Sequence, residues 1–586
     1  MKLSTYVAAL VLTSASSIAA IGHNVHMKPP PLSLEEANNQ NAKRDGSIQA
    51  RQEHPARIRG TNNIWSAASS SSSSDPLPRA LGNENSPSAG AKGSKVGQRF
   101  FEQLLDHSNP ELGTFNQSYW YSTEFWTGPG APVVVFTPGE SAAADYTGYL
   151  TNATITGQFA QAIGGAVIMI EHRYWGQSSP FAELTTKNLQ YLTLANAIAD
   201  LTYFAENVVL PFDKNGTTNA PKAPWVLSGG SYSGALTAWV EHVAPGTYWA
   251  YHASSAVVQA QGDFWQYFEP IKQGLPQNCS ADVQLVVKYI DEVMSKGTDA
   301  DIQNLKNKFG LGSVEHNDDF ADVLLNGPAS WQNHDFYTGY TGVFQFCDYV
   351  ENAVAGVFNS SCTPETTPSA TGVGLKKALN GYAKWTKDIL LPGYCESIGS
   401  SFQGKLNTAC MDSHNASNPI YTDISVDNAI DRQWTWLLCN EPFEYWQTAA
   451  PAGNGSLVSS LVNYDYLQSA CALYFPEEDG YTFGSASGKT PNDVNTYTGG
   501  WSNANTTRLI WANGEFDPWR DVTVSSDYRP GGPLVSTPEA PVNVIPGGIH
   551  CSDLIYANAQ VNAGVMAVVK DEIATIKGWV EEFYKQ

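Results

Sequence analysis

The chain has 586 residues, with 33 Lys and Arg against 56 Asp and Glu, a formal net charge of −23. That length buries a sizeable core and excludes a peptide hormone or mini-protein; that charge disfavours nucleic acids and anionic membrane surfaces, which are bound through basic patches. With 42% hydrophobic, 12% aromatic and only 15% charged residues, the composition is that of an acidic, aromatic-rich globular protein and fits work in an acidic medium.

The first twenty residues read as a secretory signal peptide: Lys2, then an apolar run over 6–12, then small residues over 17–20. The run is shorter than the roughly 20 residues that span a bilayer, and no other stretch reaches that length, so no membrane association is expected. Residues 21–96 are polar and Ser-rich, with six consecutive serines at 69–74. They bury too little apolar surface to order themselves and are expected to be disordered or a pro-segment; Lys43-Arg44 is a dibasic processing site if the segment is removed.

From residue 97 short apolar runs alternate with helical patterns. Runs at 133–136, 166–170 and 225–227 are separated by helical stretches at 153–163 and 194–208, and 232–242 follows as a helix. The pattern resumes with runs at 508–511 and 542–545 and a closing helix at 563–584. Short buried strands between helices predict an α/β domain with parallel strands, in two parts, 97–258 and 496–586. Between them, 259–495 has frequent helical patterns, as at 281–295 and 373–390, and seven of the eight cysteines: Cys279, Cys347, Cys362, Cys395, Cys410, Cys439 and Cys471, with Cys551 outside. This segment is expected to be a mostly helical cap stapled by disulfides. No C-x-x-C occurs, so zinc or thiol-redox chemistry has no support. Eight glycosylation sequons, at Asn116, Asn152, Asn215, Asn278, Asn359, Asn415, Asn454 and Asn505, agree with secretion.

The segment Gly229-Gly230-Ser231-Tyr232-Ser233-Gly234 follows one apolar run and opens a helix. A nucleophile elbow needs such a turn, because small neighbours let the backbone pass and the helix N-terminus stabilises developing negative charge. The usual G-x-S-x-G pattern has glycine two places after the serine; here that place holds Ser233. In this fold the triad runs Ser, then Asp or Glu, then His. His550 is the only histidine after His414, and it follows the run 542–545, at a strand's C-terminal end where ligands bind in such sheets. Asp517 lies beyond the preceding strand, with Asp521 and Glu515 as alternatives. Ser231 would attack a carbonyl, His550 would carry its proton, and Asp517 would orient the imidazole. The backbone N–H groups of Tyr232 and of the loop at Gly139-Glu140 would hold the oxyanion. No cofactor or metal is called for: there is no H-E-x-x-H, and Gly484 to Thr490 is one residue short of a phosphate loop.

Five segments together resemble one serine peptidase family, that of prolyl carboxypeptidase, dipeptidyl peptidase II and the fungal acid prolyl endopeptidases. They are Phe101-Glu102-Gln103-Leu104-Leu105-Asp106-His107, Glu171-His172-Arg173-Tyr174-Trp175-Gly176, the 229–234 elbow, Asn513-Gly514-x-x-Asp517-Pro518-Trp519, and Gly548-Ile549-His550-Cys551-Ser552-Asp553-Leu554. The similarity is greatest to the secreted fungal members and runs from about residue 98 to the end. It implies an α/β-hydrolase core with a helical cap, Asp517 rather than Asp521 as the acid, and peptide or protein substrates cleaved after proline. Trp519 is similar in place to a pocket wall of the family, and Ala235 stands where carboxypeptidase relatives carry a bulkier residue. Phe443 is a further pocket candidate, and Glu441 reads as a structural ion-pair partner. An esterase or lipase would use the same three residues, and a binding protein would retain them idle. Internal and terminal cleavage stay open, because the choice depends on how the cap closes the cleft.

Overall fold

In the computed structural model, which describes residues 95–354, 357, 368–399 and 401–586, eight strands form one sheet. They are β1 (Val96–Leu104), β2 (Thr114–Ser122), β3 (Val133–Phe136), β4 (Ala166–Ile170), β5 (Trp225–Gly230), β6 (Ala250–Ser254), β9 (Leu509–Gly514) and β10 (Val542–Ile545), in the order β1-β2-β4-β3-β5-β6-β9-β10. A separate two-stranded sheet pairs β7 (Gln261–Asp263) with β8 (Glu444–Trp446). From β4 to β10 every pairing is parallel. β1 and β2 are antiparallel to each other, and β2 is antiparallel to β4. The sheet is therefore mixed at one edge rather than parallel throughout.

The central strands are apolar on both faces because helices cover both. Val133, Val135, Ile168 and Leu227 pack with the helices Leu194–Asn207 and Ser231–Val243. Val134, Phe136, Met169, Val226 and Ile510 pack with Ile155–Ile163 and Ala563–Phe583. This alternation of side chains through a doubly covered sheet explains why β3 and β4 read as continuous apolar runs. The strand order and crossovers are those of an α/β hydrolase. Two expected runs extend further than their apolar residues: β5 continues through Gly230 and β9 through Gly514, so each turn begins at a strand's last residue.

Between β6 and β9 the described chain is mainly helical, with its longest helices at Gln277–Lys296 and Asn317–Ala329. Disulfides join Cys279 to Cys347, Cys395 to Cys410 and Cys439 to Cys471. Cys551 is buried and carries a free thiol. Of the expected sequon asparagines, Asn116, Asn152, Asn215, Asn278, Asn415, Asn454 and Asn505 are exposed or half-buried, as a glycan requires. Asn359, Cys362, the signal peptide and nearly all of 21–96 lie outside the described residues. Among the described residues no helix is long and apolar enough to cross a membrane.

Candidate active site

β5 runs directly into the helix Ser231–Val243, and the turn is made at Ser231 itself, whose φ is 56°. A non-glycine residue held there is strained by about 1–3 kcal/mol and marks a position kept for use. The neighbouring glycines are required by space. A Cβ on Gly229 would lie 2.1 Å from the Ser233 carbonyl oxygen, and one on Gly234 would lie 2.6 Å from that of Ser254. Ser233 fits where the usual motif has glycine because its hydroxyl clasps the turn, donating to the Gly230 carbonyl at 2.8 Å and accepting the Gly230 N–H at 3.2 Å.

Asp517 and His550 come from the loops after β9 and β10, which lie back to back. The N–H groups of Glu515 and Phe516 donate to Ile545 and Gly548 at 3.0 and 2.8 Å. A Cβ on Gly514 would meet the Ile549 carbonyl oxygen at 2.4 Å, so the Asn513-Gly514 turn permits the approach. Both side chains are fully buried, and His550 Nδ1 is 2.9 Å from Asp517 Oδ1. The other two acids are engaged elsewhere. Glu515 Oε2 accepts the Gly547 N–H at 2.7 Å. Asp521 lies 3.8 Å from Arg520, and burial pushes its carboxyl up to about 6.

Ser231 and His550 both stand at C-terminal ends of parallel strands, β5 and β10, with β6 and β9 between them. His550 Nε2 is buried and makes no hydrogen bond, so Ser231 and His550 are not hydrogen-bonded to each other. Such bonds are often loose without substrate and tighten when it binds. Ser255, just after β6, bridges the strands: its hydroxyl accepts the Cys551 N–H at 2.9 Å, and its N–H donates to Ala512 at 2.7 Å.

The Tyr232 N–H falls in the first helical turn, where N–H groups lack an intrahelical acceptor. The loop after β3 rests on this elbow: a Cβ on Gly139 would touch the Tyr232 ring and Ser233 Cβ at 3.3 Å. The next residue, Glu140, is buried; burial pushes its carboxyl up to about 8, its own N–H opposes this, and Asp431 adds to the rise. Asp431 accepts the Trp175 indole N–H at 3.1 Å, and burial pushes its carboxyl up to about 7.

An aromatic run links the elbow to the histidine. Ring centroids are 5.8 Å apart for Tyr232 and Phe443, 5.9 Å for Phe443 and Tyr445, 5.5 Å for Tyr445 and Trp519, and 6.3 Å for Trp519 and His550. Phe443 and Trp519 thus belong to one run of buried, packed rings, while Ala235 is buried in the elbow helix. Sequence reasoning missed Phe264, Tyr267 and Tyr445, which pack around the Trp519 indole, and Gln332, whose Oε1 accepts its N–H at 2.9 Å. The one available signal was Tyr445, two places after Phe443 in the same short apolar stretch. Glu441 pairs with Lys489.

The other motif residues hold the scaffold. Arg173 forks onto Asp200 at 2.6 and 2.7 Å and donates to the carbonyls of Leu104, Leu105 and Tyr191. His107 also reaches Asp200, at 2.8 Å. Glu171 accepts the Ala143 and Gln177 N–H groups at 2.9 Å. His172 Nε2 meets the Tyr232 hydroxyl at 3.1 Å, and burial lowers its pKa to about 4, so the ring is neutral.

The family model described as serine carboxypeptidase S28 matches residues 103–573. Serine protease vicPa of Bipolaris victoriae (strain FI3) is 41% identical over 83% of this chain and 89% of its own. A probable extracellular serine carboxypeptidase of Arthroderma benhamiae is 29% identical over 80% of this chain and 64% of its own. The lysosomal Pro-X carboxypeptidase of Pongo abelii is 22% identical over 87% and 94%. Among solved structures, a proline iminopeptidase of Mycobacterium smegmatis aligns with a TM-score of 0.32 at 11% identity, over 83% of this chain and 98% of that one.

Proposed function

The chain belongs to the serine carboxypeptidase S28 family of serine peptidases, and from that premise we propose that it is a secreted peptidase which hydrolyses the bond on the C-terminal side of proline, at acidic pH, through Ser231, His550 and Asp517. The observation that carries this reading is the buried 2.9 Å contact between His550 Nδ1 and Asp517 Oδ1 at the same strand ends as the strained Ser231.

In this mechanism Asp517 keeps the proton of His550 on Nδ1, leaving Nε2 to take the Ser231 proton as the hydroxyl attacks the scissile carbonyl. The tetrahedral oxyanion is held by the Tyr232 N–H and by the N–H of Glu140 in the loop resting on the elbow. His550 then protonates the leaving amine, and water repeats the cycle on the acyl-enzyme. The pyrrolidine ring of proline packs against the aromatic wall with Trp519 and Phe443, where Ala235 leaves room. The segment 259–495 acts as the cap over the cleft, between the two core parts 97–258 and 496–586. Acid working conditions are supported by the raised carboxyls of Glu140 and Asp431, which are uncharged in that range. Secretion is supported by three disulfides and the extracellular relative.

The test is incubation with an internally proline-containing peptide and a blocked Pro-X peptide, followed by mass spectrometry of the products. Cuts after proline in wild type and none in Ser231→Ala are expected. Hydrolysis of short-chain esters with both peptides left intact would overturn the reading in favour of an esterase.

A further inference from the structure

Three fully buried titratable groups from three separate elements meet behind the His550 loop. His252 belongs to β6, Asp553 follows His550 by three residues, and Glu572 belongs to the C-terminal helix Ala563–Phe583; none is more than 1% exposed. His252 Nε2 lies 3.3 Å from Asp553 Oδ2 and 3.6 Å from Glu572 Oε1. The other ring nitrogen meets the Ser228 hydroxyl at 3.0 Å, and Asp553 Oδ1 accepts the Ser254 hydroxyl at 2.6 Å. The triad mechanism uses none of these groups. A single imidazolium balances only one of two carboxylates, and an uncompensated charge in a dry interior is strongly unfavourable. The cluster therefore closes at neutrality when one carboxyl keeps its proton.

The link to the active site is short and stiff. Between His550 and Asp553 the chain makes a tight turn, with the Ile549 N–H donating to the Ser552 hydroxyl at 2.9 Å and the Leu554 N–H to the Cys551 carbonyl at 3.1 Å. Displacing Asp553 displaces this turn and the imidazole it presents. We propose that His252, Asp553 and Glu572 form a proton-held clasp that positions the His550 loop, closed while one carboxyl is protonated and loosened when that proton leaves. The three are positioning residues, and the proposal rests on the reading of His550 as the general base.

Among the described residues, the surroundings supply no second cation. Phe159, from the helix Ile155–Ile163, presents its ring to His252 at 5.2 Å. The other titratable groups acting on the cluster are the Cys551 thiol and the Tyr149 phenol near Asp553, both pushed up by burial and neutral, and the exposed Asp571 beside Glu572. Burial pushes the Glu572 carboxyl up to about 7, with Asp553 adding and His252 opposing. Burial alone would lower His252, but Glu572 and Asp553 raise it to about 9. Both groups hold protons more tightly folded than unfolded, so their contribution is fully present below Glu572's ordinary value of 4.5 and is lost as pH rises through about 7 and then about 9.

The experiment compares the full-length wild type with Glu572→Gln and Glu572→Met, two neutral stand-ins for the protonated acid. Tm is measured across pH 4 to 8, together with kcat and KM on a proline peptide and the rate at which a fluorophosphonate labels the active-site serine. Both variants should lose less Tm than wild type between pH 5 and 8. They should also keep at least about threefold more of their acid-range kcat at pH 7.5, with KM unmoved. Superimposable Tm and kcat profiles would overturn the proposal, as would a fall in wild-type Tm after dialysis against EDTA, which would make the cluster a cation site. Absence of fluorophosphonate labelling in wild type would instead count against the triad, while the Tm profiles would still judge the clasp.

Discussion

Asp517 and Trp519 are joined through the backbone: the Trp519 N–H donates to Asp517 Oδ1 at 2.9 Å, the same oxygen that meets His550 Nδ1. Pro518 between them stiffens the connection. One short segment thus carries both the acid of the proposed triad and a wall of the proposed proline pocket. Trp519→Ala keeps the N–H and removes the indole, so it separates the two roles. It should cost about 2–4 kcal/mol of transition-state binding for a proline peptide and distinctly less for a matched alanine peptide, whose side chain never filled the pocket. The measurement is kcat/KM for both peptides in both proteins. Equal losses would mean that the indole supports the Asp517 loop rather than reading proline.

Ser231 offers a test that separates strain from chemistry. At its φ of 56° glycine is unstrained, whereas alanine keeps the Cβ clash. Ser231→Gly is therefore expected to be more stable than Ser231→Ala by about 1 kcal/mol, the reverse of their usual order in a helix. Both should lose turnover by a factor on the order of 10⁶. Thermal unfolding and peptide hydrolysis of the two variants decide it. Activity within tenfold of wild type in either would place the nucleophile elsewhere.

The parts of the fold that were readable from sequence are those whose strands are buried on both faces. Val133 to Phe136 and Ala166 to Ile170 stand out because nothing polar interrupts them. β6 did not, since Tyr251-His252-Ala253-Ser254 carries a histidine and a serine inward to the buried ion cluster. The β1–β2 hairpin was hidden for a related reason: Gln103 is buried and donates to Gln117 and to the Asp200 carbonyl. Ser231, Asp517 and His550 could be picked out because each follows a strand and their chain order is constrained. Of the aromatic box around Trp519, only Tyr445 had a signal, its nearness to Phe443; Phe264 and Tyr267 come from a segment whose proximity to Trp519 only the tertiary packing creates.

The three disulfides predict an order of stabilities. They close loops of 68, 15 and 32 residues for Cys279–Cys347, Cys395–Cys410 and Cys439–Cys471. In the chain-entropy model these contribute about 4.4, 3.0 and 3.7 kcal/mol respectively. Removing the Cys279–Cys347 pair should lower Tm most and the Cys395–Cys410 pair least. Limited proteolysis after mild reduction should cut first within 259–495. First cuts within 130–255 would contradict the proposed division into core and cap.

The last prediction concerns the acid pair beside the proposed oxyanion loop. Burial raises Asp431 from an ordinary 3.8 to about 7, against the hydrogen bonds from Trp175 and the Trp434 N–H, and raises Glu140 from 4.5 to about 8, with Asp431 adding to it. Each group binds its proton more tightly in the folded protein. Stability is then undiminished below about 4, falls as the unfolded chain loses protons that the folded one keeps, and levels off above about 8. Asp431→Asn isolates one member. Asn adopts the residue's left-handed backbone, φ 50°, as readily as Asp does. Its amide oxygen can still accept the Trp175 N–H, and it never ionises. The Tm curves of wild type and variant should meet near pH 4 and diverge above it, with the variant the more stable by up to about 4 kcal/mol at pH 7. Parallel curves over the whole range would mean that Asp431 is ionised in the folded protein and that its burial is compensated by another group.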